Sequence, residues 1–401
     1  MGNALEGVRV LEYCDSIAGE YCAKLLADLG AEVIKIEKPG VGSKTRKRPP
    51  FVNSIPHPEK NGLFLWLNTN KLGITLDIEA PPGREIFETL LKKTNIFIED
   101  GTPKIMRKMG LTYRKLKNLN SKLVMTSITP FGHTGPYRDY KAYPMNTFHS
   151  GGEGYITPGG THDFSRPPLK VAKNAGEYES GTSAAGATLA ALYFQKSTGT
   201  GQHVDISKQE TLFILGYWDL PRFPNFGLLT TRATRGYRLA GTIPCKDGYV
   251  ELAFHRIEEW DALMDLLGNP EWSKEPYVRD PIKREERATE IRDNIAKGLA
   301  KFTKKEIYAK AQEGGVPLVP CFNTEELANS KQLAFREYFV EIEHPEAGRF
   351  KYPTNPSHFS KTPVKTHHPA PTLGRDNEHV YCKELNFTKE ELVRLRSVGA
   401  I

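Results

Sequence analysis

A strand, a tight turn, a helix and a second strand follow one another within the first 37 residues, and this succession limits the possible folds more than any other feature. The β-branched run Val8–Tyr13 predicts one strand, and Glu32–Glu37 predicts the next. Between them, Ser16–Gly19 predicts a turn, and Glu20–Leu29 has the apolar spacing of a helix that Gly30 ends. Two strands joined in this way lie parallel, with a right-handed crossover. The sequence therefore predicts an α/β fold with a parallel sheet.

The alternation of strands and helices continues along the chain. Further strands are predicted at Ile74–Asp77, Asn95–Glu99, Leu123–Thr129 and Val204–Ile206, and a helix at Pro82–Lys93. No GxGxxG fingerprint follows the first strand, which argues against dinucleotide binding of that kind.

A change in composition after residue 220 indicates a second domain. At 401 residues the chain is long enough for two or more domains. We predict that residues 1–220 form the first part of a large α/β domain and that 221–244, rich in Arg, Gly, Pro and Thr, form a linker. Residues 245–315 are predicted to form a small α+β domain, and 316–401 a return linker with the rest of the large domain.

Composition places the chain among globular proteins of a reducing compartment. Hydrophobic residues make up 39% and charged residues 26%, and no apolar run approaches the roughly 20 residues of a membrane span. No secretory signal is evident, so a cytoplasmic location without membrane association is expected. The cysteines form no CxxC pair, which favours buried thiols over disulfides or zinc ligands; they are Cys14, Cys22, Cys245, Cys321 and Cys382.

The net charge of +7 suits a phosphorylated partner. No basic stripe interleaved with aromatic residues and no nucleic-acid motif is present, so a phosphorylated small molecule is expected rather than nucleic acid. Basic residues cluster in the loop after the second predicted strand, where open α/β sheets bind ligands. This cluster consists of Lys35, Lys38, Lys44, Arg46, Lys47 and Arg48. Phosphate contact and a solvated surface are both open interpretations of it.

The stretch Gly176–Glu210 carries the strongest candidate for chemistry. Glu177 and Glu179 lie on a predicted glycine-flanked turn before a helix rich in alanine, and Thr198–Gly201 ends that helix. Carboxylates at the mouth of a small-residue helix suit a covalent or acid–base site beside a closely packed ligand. The alternative is a pair of helix-start charges stabilised by the helix dipole.

These features, taken together, resemble the family III coenzyme A transferases. The matching segments are Leu5–Glu12, Leu26–Glu37, Asn68–Lys71, Met109–Thr112, Gly181–Ser207, Val316–Pro317 and Glu325–Ala328. The resemblance implies a Rossmann-like large domain made from both chain ends, a smaller α+β middle domain, and an interlocked dimer with itself or a paralogue. It also implies an acyl-CoA and a carboxylic acid as substrates, coenzyme A bound along the large domain, and no metal.

The resemblance points to Glu177 as the catalytic residue. In the family, an aspartate in the pattern Gly-Asp-x-x-x-Gly attacks the thioester to form an anhydride and then an enzyme-bound CoA thioester. Here the pattern reads Gly176-Glu177-Tyr178-Glu179-Ser180-Gly181, so a glutamate stands in place of the aspartate. The extra methylene moves the carboxylate oxygens by roughly 1 Å, a displacement that can cost about a hundredfold in rate.

Other positions are assigned to coenzyme A by the same resemblance. They are Ser16, Ile17, Ala18, Lys38, Leu76, Asp100, Gly101, Lys108, Met109 and Lys141. Ile17 replaces a usual glutamine, Asp100 replaces a usual asparagine, and Pro144 stands where formyl-CoA transferase has a catalytic glutamate. Coenzyme A binding is therefore expected to be retained in altered catalytic surroundings. The apolar Ile17 and Pro144 argue against formate or oxalate, which need several hydrogen bonds.

Three hypotheses follow. The chain is an active CoA-transferase that uses Glu177, a non-catalytic CoA-binding subunit of a heteromeric transferase, or an acyl-CoA racemase. The racemase hypothesis is the least favoured, because Tyr143 occupies the position of the histidine that serves as a base in that related branch.

Overall fold

The structure is a computed structural model that describes residues 2–159, 164–216, 219–235, 239, 241–254, 256–364 and 366–401. The described residues divide into two compact units. The larger unit comprises Met1–Thr157, Pro168–Leu228 and Arg336–Ile401, so it uses both ends of the chain. The smaller unit comprises Pro158–Pro167 and Leu229–Phe335, a wider range than the predicted 245–315.

Within the described residues, six parallel strands form the sheet of the larger unit. They are β1 (Arg9–Tyr13), β2 (Glu32–Glu37), β3 (Leu72–Thr75), β4 (Ile96–Glu99), β5 (Val124–Thr129) and β6 (His203–Ser207). Their order is β3-β2-β1-β4-β5-β6, and every neighbouring pair is parallel. This is the strand order of the doubly wound dinucleotide-binding folds. The predicted α/β, Rossmann-like fold is confirmed, and the ends of each predicted strand lie within two residues of those observed.

Helices connect these strands and follow them in the chain. They are α1 (Ile17–Asp28), α2 (Gly62–Leu67), α3 (Pro81–Leu91), α4 (Pro103–Lys108), α5 (Tyr113–Leu116), α6 (Pro144–Ser150), α7 (Ala175–Thr198), α8 (Lys208–Leu215) and α9 (Arg222–Phe226), with short 3₁₀ turns at Lys44–Lys47 and Val52–Ser54. The segment predicted as a linker, 221–244, therefore begins with a helix.

Helix α1 begins directly after the turn that follows β1. The Ser16 side chain caps it by accepting a hydrogen bond from the Gly19 N–H at 3.4 Å, so the helix starts at Ile17, before the predicted Glu20. Its buried face includes Cys22 and Leu26. The predicted strand–helix–strand unit is present, and it places the N-terminus of α1 at the carboxyl edge of the sheet.

Helix α7 packs closely against α1 because small residues face the contact. A Cβ atom at Gly181 would lie only 2.7 Å from the Ala18 carbonyl oxygen, so no larger residue fits without displacing backbone. Ala184 is also fully buried at this helix. The helix ends as predicted, with Gly199 in the left-handed conformation at φ 74°. The prediction of a glycine-flanked turn before this helix was wrong. The helix already begins at Ala175, so Glu177 belongs to the first turn of the helix.

The smaller unit has its own sheet and core. In its described residues, β7 (Gly241–Cys245), β8 (Gly248–Leu252) and β9 (Leu318–Pro320) form an antiparallel sheet. Its helices are α10 (Ile257–Leu266), α11 (Pro281–Glu286), α12 (Ala288–Leu299), α13 (Lys304–Glu313), α14 (Thr324–Ala328) and α15 (Lys331–Phe335), with 3₁₀ turns at Glu271–Lys274 and Pro276–Arg279. Trp260, Ile291 and Ile295 are central residues of this core.

The last part of the chain returns to the larger unit. It contains the antiparallel hairpin β10 (Phe339–His344) and β11 (Gly348–Pro353), a π-helical segment at His379–Glu384, and α16 (Lys389–Ser397). The buried Tyr381 hydroxyl donates a 2.6 Å hydrogen bond to the Thr75 carbonyl oxygen, which ties this segment to the end of β3. Among the described residues, no helix is both long and apolar enough to cross a membrane.

Candidate active site

A cleft of about 500 Å³ opens where strands β1, β2 and β4 end. Its walls include residues 13–15 at the end of β1, 36–38 at the end of β2, and 100–102 after β4. The strand order reverses between β1 and β4, and open α/β sheets bind ligands in the crevice outside the carboxyl ends of the strands at such a point. The topology therefore makes this cleft the candidate binding site for a small molecule.

The lining of the cleft combines cationic and apolar groups. Three lysines with exposed side chains contribute to it, namely Lys38, Lys44 and Lys47. Apolar side chains on the lining include Ile36, Val41, Ile105, Met106 and Met109. Lysines suit phosphate groups, and the apolar residues suit a ring or an alkyl chain. The cleft is therefore suited to a ligand that carries both phosphate and apolar parts.

Two residues of the predicted basic cluster, Lys35 on β2 and Arg46 in the loop after it, have a role other than those considered for the cluster. Lys35 and Arg46 are fully buried, so they neither line a phosphate site nor form a solvated surface. The Arg46 guanidinium donates to both carboxylate oxygens of Glu37 at 2.7 and 2.8 Å and to Glu59 at 2.6 Å. These ion pairs fix the loop that carries the cleft lysines.

A buried charge network lies among β1, α1 and β2. The Lys35 ammonium contacts Glu12 at 2.8 Å and Glu20 at 3.0 Å, and the Lys71 ammonium contacts Glu12 at 2.7 Å. All four side chains are fully buried. Burial lowers the pKa of Lys35, but the carboxylates of Glu12 and Glu20 outweigh it and hold that pKa well above its ordinary value. Lys35 therefore stays charged, and its ion pairs join β1, α1 and β2 beside the cleft.

The N-terminus of α1 holds the Asp100 carboxylate. The backbone N–H groups of Asp15 and Ser16 donate to it at 3.0 and 2.6 Å. Gly19 permits this approach, because a Cβ there would lie 3.0 Å from Asp100 Oδ2 and 2.5 Å from Cys14 Sγ. Burial raises the pKa of Asp100 to about 6, although the hydrogen bonds from Ser16 and Asp15 act in the opposite direction.

Stability is expected to fall with rising pH as Asp100 titrates. The folded state binds this proton more tightly than the unfolded chain, since the pKa rises from 3.8 to about 6. Protonated Asp100 therefore contributes to the free energy of unfolding below pH 3.8, and this contribution is lost as the pH rises to about 6. Urea unfolding of the wild type and of Asp100→Asn, which cannot titrate, should show the wild type losing about 2–3 kcal/mol relative to the variant over this range. A difference that does not change with pH would contradict this assignment.

The Glu177 carboxylate also lies at the N-terminal end of α1, next to Ala18, whereas Asp100 lies next to Asp15 and Ser16. Its Oε2 accepts a hydrogen bond from the Ala18 N–H at 3.2 Å. The Lys208 ammonium, at the first residue of α8, donates to Oε1 at 2.8 Å and to Oε2 at 2.9 Å. Glu177 is 3% exposed and Lys208 7% exposed. A single buried carboxylate is thus held by a helix N-terminus and a lysine.

The structure distributes the residues predicted to contact coenzyme A over several environments. Those that line the cleft are Lys38, Asp100, Gly101 and Met109. Ser16, Ile17 and Ala18 form the start of α1, where the backbone N–H groups of Ser16 and Ala18 hold carboxylates. The side chains of Ile17 and Leu76 are buried in the core. Lys108 and Lys141 are exposed and lie outside the cleft lining, and the Lys141 ammonium is 5.4 Å from the centre of the Tyr143 ring.

Lys208 is a site residue that the sequence reasoning missed. It stands at the first position of a helix whose N-cap is Ser207. A cation is unfavourable there, because the helix dipole places positive partial charge at the N-terminus. A lysine directly after a helix cap was therefore a signal that an acidic partner was nearby.

Comparison with known proteins identifies the family. The sequence model described as CoA-transferase family III matches residues 5–377. This chain belongs to CoA-transferase family III. A formyl-CoA:oxalate CoA-transferase of Streptomyces avermitilis is 32% identical to it over all of both chains. One from Streptomyces coelicolor is 31% identical over 99% of each chain.

Two solved structures are similar to this CoA-transferase family III chain. A CAIB/BAIF family protein from Brucella suis matches with a TM-score of 0.83 and 25% identity, over 96% of this chain and 100% of that one. The Mycobacterium tuberculosis protein Rv3272 matches with a TM-score of 0.81 and 22% identity, over 94% and 98%. The second likeness shows the fold alone.

No cluster of metal-ligating side chains occurs in the described part of this CoA-transferase family III chain. The search covered groups of three or more His, Cys, Asp and Glu residues. The carboxylates at the start of α1 are instead held by backbone N–H groups and by Lys208.

Proposed function

We propose that this chain transfers coenzyme A from an acyl-CoA thioester to a carboxylic acid, with Glu177 as the nucleophile. The observation that carries the proposal is the position of the Glu177 carboxylate at the N-terminus of α1, the helix that follows the β1 edge of the cleft. Family membership supports the reaction type, and the lysine-containing cleft supports a ligand with phosphate groups. Glu177 keeps the carboxylate that the chemistry needs.

The proposed reaction has four displacements at carbonyl carbons. A Glu177 oxygen attacks the acyl-CoA thioester and expels the CoA thiolate, which leaves a mixed anhydride. The thiolate then attacks the Glu177 side-chain carbonyl carbon and expels the donor carboxylate, so that a glutamyl-CoA thioester remains. The acceptor carboxylate expels the thiolate from this thioester to form a second anhydride. Attack of the thiolate on the acceptor carbonyl releases the new acyl-CoA and restores Glu177.

Formyl-CoA and oxalate are the donor and acceptor to test first. The relatives are named for this pair of substrates. Ile17 does not exclude this pair of substrates, because its side chain is 1% exposed and is buried in the core. Pro144 begins helix α6 and supplies no side-chain hydrogen bond, so larger acids belong in the same panel of acceptors.

A non-catalytic subunit is the second candidate function, and one observation favours it. Both Glu177 oxygens are already engaged by the Lys208 ammonium, and the carboxylate is almost fully buried. A carboxylate in a buried ion pair is a weaker nucleophile than a free one, and a partner with an intact aspartate would then perform the reaction. The purified chain alone distinguishes the two functions, because only the first predicts turnover without a partner.

Coenzyme A binding is expected to depend on Lys38. This exposed lysine lines the cleft directly after β2, and a charge-assisted contact with phosphate is among the stronger polar interactions. Lys38→Ala should weaken the affinity for CoA about tenfold in isothermal titration calorimetry. Lys93→Ala removes an exposed lysine outside the cleft lining and serves as the matched control. Equal affinities of the wild type and Lys38→Ala would argue against this cleft as the CoA site.

An interlocked dimer, formed with itself or with a paralogue, is the proposed assembly. Exposed apolar side chains on α8 and α9 support a protein contact there, including Phe213, Ile214, Phe223 and Phe226. Light scattering on dilute purified protein is expected to show particles of two chains at every concentration tested. A folded particle of one chain that binds CoA would refute this assembly.

A further inference from the structure

The surroundings of the two Glu177 oxygens differ. Oε2 has two donors, the Ala18 N–H at 3.2 Å and the Lys208 ammonium at 2.9 Å. Oε1 has one donor among the described residues, the same ammonium at 2.8 Å. Both donors come from helix N-termini, since Ala18 lies in the first turn of α1 and Lys208 is the first residue of α8. Their positions are therefore fixed before any substrate binds.

The oxygen with two donors, Oε2, is the one on which the proposed reaction develops negative charge. When Oε1 attacks the donor thioester, Oε2 becomes the carbonyl oxygen of the Glu177 anhydride. The thiolate then attacks the Glu177 carbonyl carbon, and the electron pair of that C=O bond moves onto Oε2. Negative charge develops on the same oxygen again when the acceptor carboxylate attacks the glutamyl-CoA thioester. Preorganised donors aimed at such an oxygen lower the barrier of each step.

We propose that Lys208 is a catalytic residue that supplies the charged donor to the Glu177 oxyanion. The inference rests on the proposed role of Glu177 as the nucleophile. In the resting enzyme the ammonium neutralises the carboxylate. In the two tetrahedral intermediates at the Glu177 carbonyl carbon it neutralises the charge on Oε2, together with the Ala18 N–H. Because the site is almost fully buried, water cannot substitute for the ammonium.

A purely structural ion pair is the competing explanation. A buried pair often contributes little net stability, since the cost of removing two charges from water offsets their attraction. Loss of stability in a Lys208 variant therefore does not separate the two roles. A fall in kcat with unchanged affinity for CoA separates them only together with recovery by Lys208→Arg and not by the neutral Lys208→Gln, because the oxyanion role requires the charge on the transition state.

The test compares Lys208→Met with Lys208→Arg in the full-length protein. Lys208→Met keeps the apolar stem and removes the charge, and its kcat is expected to fall about 100–1000-fold, the usual effect of losing one oxyanion donor. Its dissociation constant for CoA, measured by calorimetry, is expected to stay within about threefold. Lys208→Arg keeps a cation and is expected to retain more than about a tenth of the activity. Lys196→Met, an exposed lysine on α7, is the matched control and should retain full activity.

Each outcome decides the inference. A Lys208→Met protein that binds CoA and turns over within about threefold of the wild type would overturn it. If Lys208→Met does not fold, Lys208→Gln replaces it in the test, because glutamine keeps a neutral hydrogen-bond donor. Equal kcat values for Lys208→Gln and Lys208→Arg would then overturn the role of the charge. Full turnover by Glu177→Gln refutes the proposed nucleophile itself. Loss of turnover in Glu177→Gln together with full turnover in Lys208→Met refutes only the oxyanion role.

Discussion

Glu177→Gln is expected to abolish CoA transfer, with kcat falling by at least about 10⁴-fold. The amide has nearly the shape of the carboxylate but cannot form the anhydride, so the first displacement is lost. Measurement requires purified protein, a panel of acyl-CoA donors with oxalate and larger acids, and chromatographic detection of the new acyl-CoA. The affinity for CoA should change little, because the cleft lining does not include Glu177.

Glu179→Gln is the matched control for this variant. Glu179 lies two residues away on α7 and, within the described residues, makes no hydrogen bond or ion pair with Lys208 or with the start of α1. Its activity is expected to stay within about threefold of the wild type, as is usual for a substitution outside the reacting groups. More than about a tenth of wild-type activity in Glu177→Gln would exclude Glu177 as the nucleophile.

Lys35→Met is expected to cost about 3–5 kcal/mol of the free energy of unfolding. The substitution leaves the fully buried Glu20 carboxylate without its cation and leaves Glu12 with Lys71 alone. An uncompensated charge in the core is far more costly than a lost surface ion pair. Urea unfolding followed by circular dichroism measures the loss.

Two further variants make this stability test specific. Lys93→Met replaces an exposed lysine and is expected to change stability by less than about 0.5 kcal/mol. The double variant Lys35→Met, Glu20→Gln removes the unpaired charge as well, so it should recover part of the loss. A loss below about 1 kcal/mol in Lys35→Met would show that the network does not hold the site together.

Sequence patterns predicted the sheet because each strand and helix has a local signal. The unit from Val8 to Glu37 shows this: strand periodicity, helical spacing and Gly30 lie within one short stretch. The position of the cleft followed from the same order of elements. The predicted start of α7 was wrong because Ala175 and Gly176 carry no capping signal. The structure likewise has no side-chain cap at Asn174.

The roles of charged residues were not predictable in the same way. Lys35 and Lys38 lie three positions apart in one basic run, yet one is fully buried and the other is exposed in the cleft. The difference depends on Glu12 and Glu20, which only the fold brings to Lys35. Lys208 was missed for the same reason, since its partner lies 31 residues away in sequence.

Glu177 is expected to become covalently acylated during transfer, and hydroxylamine trapping tests this most directly. The purified protein is incubated with formyl-CoA, acetyl-CoA or succinyl-CoA in the presence of hydroxylamine, digested with a protease, and analysed by mass spectrometry. Hydroxylamine cleaves an activated acyl group but not a resting carboxylate, so it converts the Glu177 intermediate into a stable hydroxamate. We predict a donor-dependent hydroxamate on the peptide that contains Glu177, and none in Glu177→Gln. An unmodified Glu177 peptide from protein that is turning over would contradict the role of Glu177 as the nucleophile.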